Sequence, residues 1–175
     1  QSWLAISDLH YGYEVRRRAG GGLWPLWGRE TVESRVADLL DDHEPDLLIL
    51  NGDIVDGASS GQKAVIAWLK ELEHRCRNLI LIKGNHDRGP ILREFKFHKQ
   101  VEIDGFVFHH GHEPLEIDSE QIEVIGHIHP AYRFHDGAGL SMKLPTFVRS
   151  TKRWLMPAFS PWAGGVNFYD EDDSS

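Results

Sequence analysis

Residues 47–56 read Leu-Leu-Ile-Leu-Asn-Gly-Asp-Ile-Val-Asp, a short apolar run closed by Asn-Gly-Asp. An apolar run of this length ending in glycine reads as a strand buried on both faces. Its polar end then emerges at one edge of a sheet. The same pattern recurs along the chain. Residues 3–6 run into Asp8-Leu9-His10, residues 79–82 into Gly84-Asn85-His86-Asp87, and residues 122–125 into Gly126-His127-Ile128-His129. A fifth cluster, His109-His110-Gly111-His112, follows the shorter run 106–108. Strand ends are where open α/β sheets collect ligands. Five such ends carrying Asp, Asn and His point to a metal centre.

Working outward, the first half of the chain alternates strand and helix. Val32, Val36, Leu39 and Leu40 recur at helical spacing, with Thr31 as the expected N-cap. Ala64, Val65, Trp68, Leu69 and Leu72 mark a second amphipathic helix. This order predicts a parallel sheet with right-handed crossovers. Residues 13–30, rich in Gly, Arg and Trp, read as a surface loop. The second half is β-rich. Asp104-Gly105 between residues 101–103 and 106–108 is a hairpin signal, because that pair tolerates positive φ. Short strands are expected over residues 121–125, 131–134, 146–149, 153–156 and 166–169. The whole reads as two sheets packed face to face, with the early helices outside one of them.

At 175 residues with 41% hydrophobic content, the chain can bury a sizeable core. Residues 1–169 are expected to form a single domain, and the acidic residues 170–175 a frayed tail. A single cysteine, Cys76, excludes internal disulfides and a thiolate metal cage. No apolar stretch approaches the roughly 18 residues of a membrane span, so a soluble, cytoplasmic protein without membrane contacts is expected. The first residue is Gln1 rather than Met, which leaves open a natural start upstream. The net charge of −8 argues against broad attraction to nucleic acid. Locally the sign differs: two divalent ions held by two carboxylates and a hydroxide leave about +1, which accepts an anionic substrate.

The clusters suit particular roles. Alternation along an extended strand would let Asp8 and His10 grip one ion, and likewise His127 and His129. The two oxygens of Asp53 can bridge two cations, and Gly52 before it allows close backbone approach. Asp56 suits a partner that orients a ligand histidine from behind. Asn85 offers a neutral oxygen, His86 can face the substrate, and Asp87 can hold the other nitrogen of His86. His110 precedes Gly111 and best suits a ligand; His112 follows on its side, while His109 points away. Asp8, His10, Asp53, Asn85, His110, His127 and His129 make seven donors. Seven suffice for two ions sharing Asp53, whereas a structural zinc needs four. Nitrogen and oxygen donors of this kind suit Mn first, and also Fe, Zn or Ni.

In this order the clusters resemble the calcineurin-like metallophosphoesterases, whose pattern is D-x-H, G-D-x-x-D, G-N-H-[D/E], H and G-H-x-H. Here those motifs are Asp8/His10, Asp53/Asp56, Asn85-His86-Asp87, His110 and His127/His129, without a ligand substitution. The resemblance implies an α/β fold, a four-layer αββα sandwich with two mixed sheets and a dinuclear metal site at one sheet edge. It implies that Asp8, His10, Asp53 and His129 hold one ion, and Asp53, Asn85, His110 and His127 the other. His86 would assist the leaving oxygen. The implied chemistry is in-line attack on phosphorus by a hydroxide bridging the two ions. Residues 6–12, Gly111-His112-Glu113-Pro114, Met156-Pro157-Ala158-Phe159 and Ala163-Gly164-Gly165 also resemble small bacterial and archaeal phosphoesterases. Some of those are associated with DNA-ligase and helicase repair clusters and are described as nuclease-like, which implies possible DNA-repair partners. Members of that group usually carry residues before the first strand, which this chain nearly lacks.

Substrate contacts are expected from Arg16 and Arg17, with Arg18 beside them, and from His112. The arginines could grip flanking phosphates while Trp24 or Trp27 stacks a base. Arg149, Lys152, Arg153 and Trp154 form a second basic and aromatic patch. The function expected is a phosphodiesterase of DNA, RNA or nucleotides. The alternatives are a monoesterase or pyrophosphatase of a small metabolite or phosphoprotein, and a metal-binding scaffold without catalysis. An intact His86 argues against the last.

Overall fold

The computed structural model describes residues 2–57 and 62–169; the tail expected over residues 170–175 lies outside them. Four strands, β1 (Trp3–Ile6), β2 (Leu47–Asn51), β3 (Leu79–Ile82) and β4 (Phe97–His98), form one sheet in that order. Every pairing in it is parallel. Strand β2 is buried along its whole length, and alternation splits its side chains between two cores. Leu48 and Leu50 pack with Val32, Val36 and Leu40 of α2 (Gly28–His43) and Val65, Leu69 and Leu72 of α3 (Gln62–Arg75). Leu47 and Ile49 face the other way, onto Phe108, Val124 and Met156.

Those partners lie in, or directly after, strands of a mixed five-stranded sheet. Its order is β10 (Val148–Arg149), β11 (Arg153–Leu155), β7 (Ile122–Ile125), β6 (Phe106–His109) and β5 (Gln100–Ile103). Strands β11, β7 and β6 are mutually parallel, so their C-terminal ends share one edge. Trp3 seals the interface, meeting Phe106 and Phe108 edge-on at 5.5 and 5.0 Å between ring centres. The hairpin between β5 and β6 turns through Asp104 and Gly105 at φ 51° and 80°, as a tight primed turn demands. A small third sheet sets β8 (Pro130–His135) between β12 (Val166–Tyr169) and β9 (Ser141–Pro145).

The α/β sandwich is as expected, and several details differ. The first sheet is parallel throughout rather than mixed, and the β-rich half divides into two sheets. Among the described residues no helix follows α4 (Ile91–Glu94), so the helices cover one outer face of the sandwich rather than two. The connection that would supply the missing layer, residues 111–121, carries Gly111 and Pro114 and lacks apolar periodicity. Residues 13–19 form a helix, α1 (Tyr13–Ala19), closed by Gly20. Thr31 lies inside the first turn of α2, its hydroxyl on the Trp27 carbonyl at 3.0 Å, and Trp27 holds the N-cap position. Strand β9 escaped the sequence reading because all its side chains are exposed. Among the described residues no helix is long and apolar enough to cross a membrane.

Candidate metal centre

The C-terminal ends of β1, β2 and β3 meet those of β6 and β7, and the five polar clusters converge there. Strand alternation is not what aims them. Among the described residues seven non-glycine positions have positive φ, and five of these are Asp8, His10, Asp53, His127 and His129. Asp and His tolerate the left-handed region better than most residues, at a cost of order 1–3 kcal/mol each. The chain leaves β1, β2 and β7 through such positions and turns their donors inward. Cross-links hold the turns: Asp8 N–H donates to the Gly52 carbonyl at 3.1 Å, and His10 N–H to the Asp53 carbonyl at 2.9 Å.

Close approach requires glycine at two points. A Cβ on Gly52 would lie 2.3 Å from His110 Nδ1, and one on Gly84 2.2 Å from the Asp53 backbone nitrogen. The loop after β3 therefore rests directly on the loop after β2.

Three rings share one design. His10 turns Nδ1 to Asp56 Oδ1 at 3.3 Å, His110 turns Nδ1 to the Asn51 carbonyl at 3.2 Å, and His129 turns Nδ1 to the Gly164 carbonyl at 3.3 Å. A proton on Nδ1 satisfies each oxygen, which leaves the Nε2 lone pair facing the centre. His10 Nε2 and His129 Nε2 lie 3.4 Å apart. His129 Nε2 also meets Asp8 Oδ1 at 3.0 Å. On the far side, His110 Nε2 lies 3.2 Å from both Asp53 Oδ2 and Asn85 Oδ1. Asp53 stands between the two groups, with Oδ2 3.8 Å from His10 Nε2.

Asp8, His10 and His129 form one set of donors whose atoms all lie within 4.8 Å of one another; Asp53, His110 and His127 form a second. His10, Asp53 and His86 make a third, overlapping set. Rings that in their neutral form turn an Nε2 lone pair inward, beside buried carboxylates, are a donor set that fits divalent cations.

The electrostatics agree. Burial would raise Asp53, but the hydrogen bond and charge of His110 outweigh it and hold the carboxyl down at about 2. Burial pushes His110 and His129 down, but Asp53 and Asp8 push them up further. His127, exposed at the rim, is lowered by its partial desolvation and by His110.

Around this centre three expected contacts change. Asp87 does not touch His86. Its buried carboxyl accepts from Val55 N–H at 3.0 Å and Gly84 N–H at 2.8 Å, tying the two ligand loops together. Burial raises it to about 7, against those two hydrogen bonds. Asp56 takes the expected place: Oδ1 meets His86 Nδ1 at 3.1 Å as well as His10 Nδ1. Arg16 turns its Nε to Asp56 Oδ2, with which it pairs at 2.6 Å. Arg17 lies over the Tyr13 ring at 4.9 Å, and Arg18 donates to the Trp24 carbonyl. The second patch also divides. Arg149 covers Trp154 at 4.7 Å, while Arg153 turns to the opposite face and pairs with Glu123.

His112 stands exposed beside the centre, its ring 5.3 Å from that of His110. His109 points to the other face, onto Glu123 at 2.8 Å. Trp24 and Trp27 gather on Trp162, at 5.3 and 4.1 Å between ring centres, two residues from the Gly164 that holds His129. Sequence reasoning passed over Ser7, whose buried hydroxyl lies 2.6 Å from Asp8 Oδ2 and 2.8 Å from the Asn51 carbonyl. Only its place directly before Asp8 could have drawn notice.

The sequence matches the family model of calcineurin-like phosphoesterases over residues 3–138. The structure is similar to that of nuclease MPE from Pseudomonas putida, with a TM-score of 0.72 and 24% identity, covering 97% of this chain and 80% of that one. It is also similar to YfcE, a phosphoesterase from E. coli, with a TM-score of 0.54 and 18% identity, covering 90% and 78%. At those identities the likeness speaks for the fold. No curated protein matches the sequence.

Proposed function

The chain belongs to the calcineurin-like phosphoesterase family, a hydrolase of phosphate esters, and from that premise we propose that it is a dinuclear-metal phosphodiesterase acting on nucleic acid or nucleotides. Asp8, His10, Asp53 and His129 would hold one ion, and Asp53, Asn85, His110 and His127 the other. The observation that carries this reading is the meeting of two donor sets at one buried carboxylate, Asp53, between His10 and His110. When bound, a pair of divalent ions stabilises the phosphoryl charge and makes a nucleophile from water; manganese is the first ion to test.

The chain's own groups do the rest. His86 is partly exposed at the mouth of the site, and its Nδ1 is held by Asp56. That bond fixes the ring, so Nε2 can face the departing oxygen and give it a proton. Arg16 holds Asp56 in turn, making it the hub of the acid side. Asp87 keeps the loop that carries Asn85 and His86 seated on Gly84 and Val55. The aromatic group of Trp24, Trp27 and Trp162, with Trp27 about half exposed, gives a base a surface to stack on. Similarity to a nuclease supports a diester over a monoester.

The test is turnover of bis(p-nitrophenyl) phosphate, p-nitrophenyl phosphate and oligonucleotides by protein loaded with each metal. Manganese-dependent cleavage of the diester and of oligonucleotides is expected. His86→Ala should lower kcat by roughly a hundred- to ten-thousandfold with metal content unchanged. A clear preference for the monoester, with every oligonucleotide intact, would overturn the diesterase reading.

A further inference from the structure

Strand β4 ends at the same edge as the ligand strands but supplies no ligand. It lies parallel to β3, with Ile82 opposite His98, and the Lys83 N–H donates to the His98 carbonyl at 2.9 Å. Lys83 and Lys99, the next residues of the two strands, therefore emerge side by side. Both are exposed, and both line a cleft of about 270 Å³ that continues to His110 and His112. The cleft has room for roughly nine waters at about 30 Å³ each. That is ample for a phosphoryl group and too small for a folded partner.

Neither ammonium has a carboxylate or hydrogen-bonded partner among the described residues. The one acid on the wall, Glu113, sits 3.9 Å from His112. His112 bridges the two places, its ring 5.3 Å from that of His110 and 6.2 Å from that of His127. In a chain of net charge −8, two unpaired lysines in a concavity beside a metal centre form a local field of opposite sign. Lysine binds phosphate as a point charge and needs no forked geometry.

We propose that this cleft holds a second phosphate of the substrate, next along from the one hydrolysed, with Lys83 and Lys99 as its cationic wall and His112 between it and the metal centre. This rests on the phosphoesterase reading and deepens it: the preferred substrate carries at least two phosphates. The second phosphate is either the neighbouring diester of a polynucleotide or the outer phosphate of a nucleoside polyphosphate.

The experiment compares wild type with Lys83→Ala/Lys99→Ala and Lys83→Glu/Lys99→Glu, all metal-loaded and matched in metal content. Substrates are bis(p-nitrophenyl) phosphate, a single-stranded oligonucleotide and a nucleoside diphosphate. Binding of a fluorescein-labelled phosphorothioate oligonucleotide is followed in parallel by anisotropy. The alanine pair should raise KM for the substrate with two phosphates roughly tenfold relative to its effect on the small diester, and the glutamate pair further. The slope of log KM against log salt should flatten by roughly 0.7 for each lysine lost on a single strand. Selective loss on the oligonucleotide identifies the diester source, and selective loss on the diphosphate the other. Equal loss on all three substrates, or unchanged salt slopes and unchanged binding, would overturn the proposal. If wild type turns over no phosphate ester yet binds the oligonucleotide through these lysines, the diesterase reading falls and the cleft stands.

Discussion

The two sheet edges that meet at the centre contribute different halves of it. The first sheet brings carboxylates and closes around them: Asp8, Asp53, Asp56 and Asp87 are each at most 2% exposed. Each is fastened by hydrogen bonds or ion pairs from the loops packed against it. The second sheet brings imidazoles and opens outward. His110 is buried, His129 partly so, and His127 and His112 reach the rim. The charged donors are thus preorganised by the fold, while the neutral ones include solvent-facing positions. Affinity should be concentrated on the first edge and metal exchange on the second.

The strongest way to break that asymmetry is Asp53→Asn. It removes the carboxylate that, among the described residues, stands between both donor sets, so the two ions proposed for them should be lost together. Activity should then fall well beyond the roughly 10- to 100-fold cost of disturbing a ligand's supporting partner. Elemental analysis of the purified variant checks this; one retained ion at full occupancy would contradict a shared Asp53. Next comes the pair Asp56→Asn and Asp87→Asn. The first should cost roughly 10- to 100-fold in kcat, because it loosens His10 and His86 at once. The second leaves a buried N–H short of its acceptor, so it should act on stability, by about 1–3 kcal/mol. Urea unfolding separates the two, and the reverse assignment of effects would restore Asp87 as the partner of His86. Smaller again is His127→Ala, about tenfold on activity and recovered by excess metal, since the ring lies at the open rim. A loss equal to that of Asp53→Asn would remove the distinction between the edges.

The two edges were also unequally legible. Every ligand cluster was visible, because each ends an apolar run in residues that a core does not use. Strands β1, β2, β3 and β7 and the Asp104-Gly105 turn followed from local pattern alone. Less visible was how the donors are aimed. Alternation along a strand predicts that Asp8 and His10 share a side, and they do meet, but through left-handed turns that no periodicity announces. Arg16 misled for a related reason. A triple arginine in a glycine-rich stretch looks free, whereas helix α1 spends one arginine on Asp56 and another on Tyr13. Lys83 and Lys99 carried no signal at all. They lie 16 residues apart in sequence, and only the parallel pairing of β3 with the two-residue β4 makes them neighbours.

The smallest effect separates the edges by proton rather than by mutation. In metal-free protein, burial pushes His110 and His129 down, and Asp53 and Asp8 push them up by more, so both end above the ordinary histidine value of 6.5. A raised histidine stabilises the fold fully below the unfolded value, and that stability is lost as pH rises through the folded one. His112 and His127 are lowered, chiefly by desolvation and then by His110, and act in the opposite sense. They are exposed at the rim, where solvent screens them. The Tm of the metal-free protein should therefore decline as pH rises above 6.5. The decline should be shallower in His129→Gln, which loses one of the two protonated rings. Metal-loaded protein should lose the histidine part of it, because cations then answer Asp8 and Asp53 in place of protons. The decline up to about pH 7 from Asp87, raised by its burial, should remain in both forms. Calorimetry across pH 6–8 reads all three slopes. A metal-free slope that is flat, or unchanged in His129→Gln, would mean that the imidazole edge does not compensate the carboxylate edge.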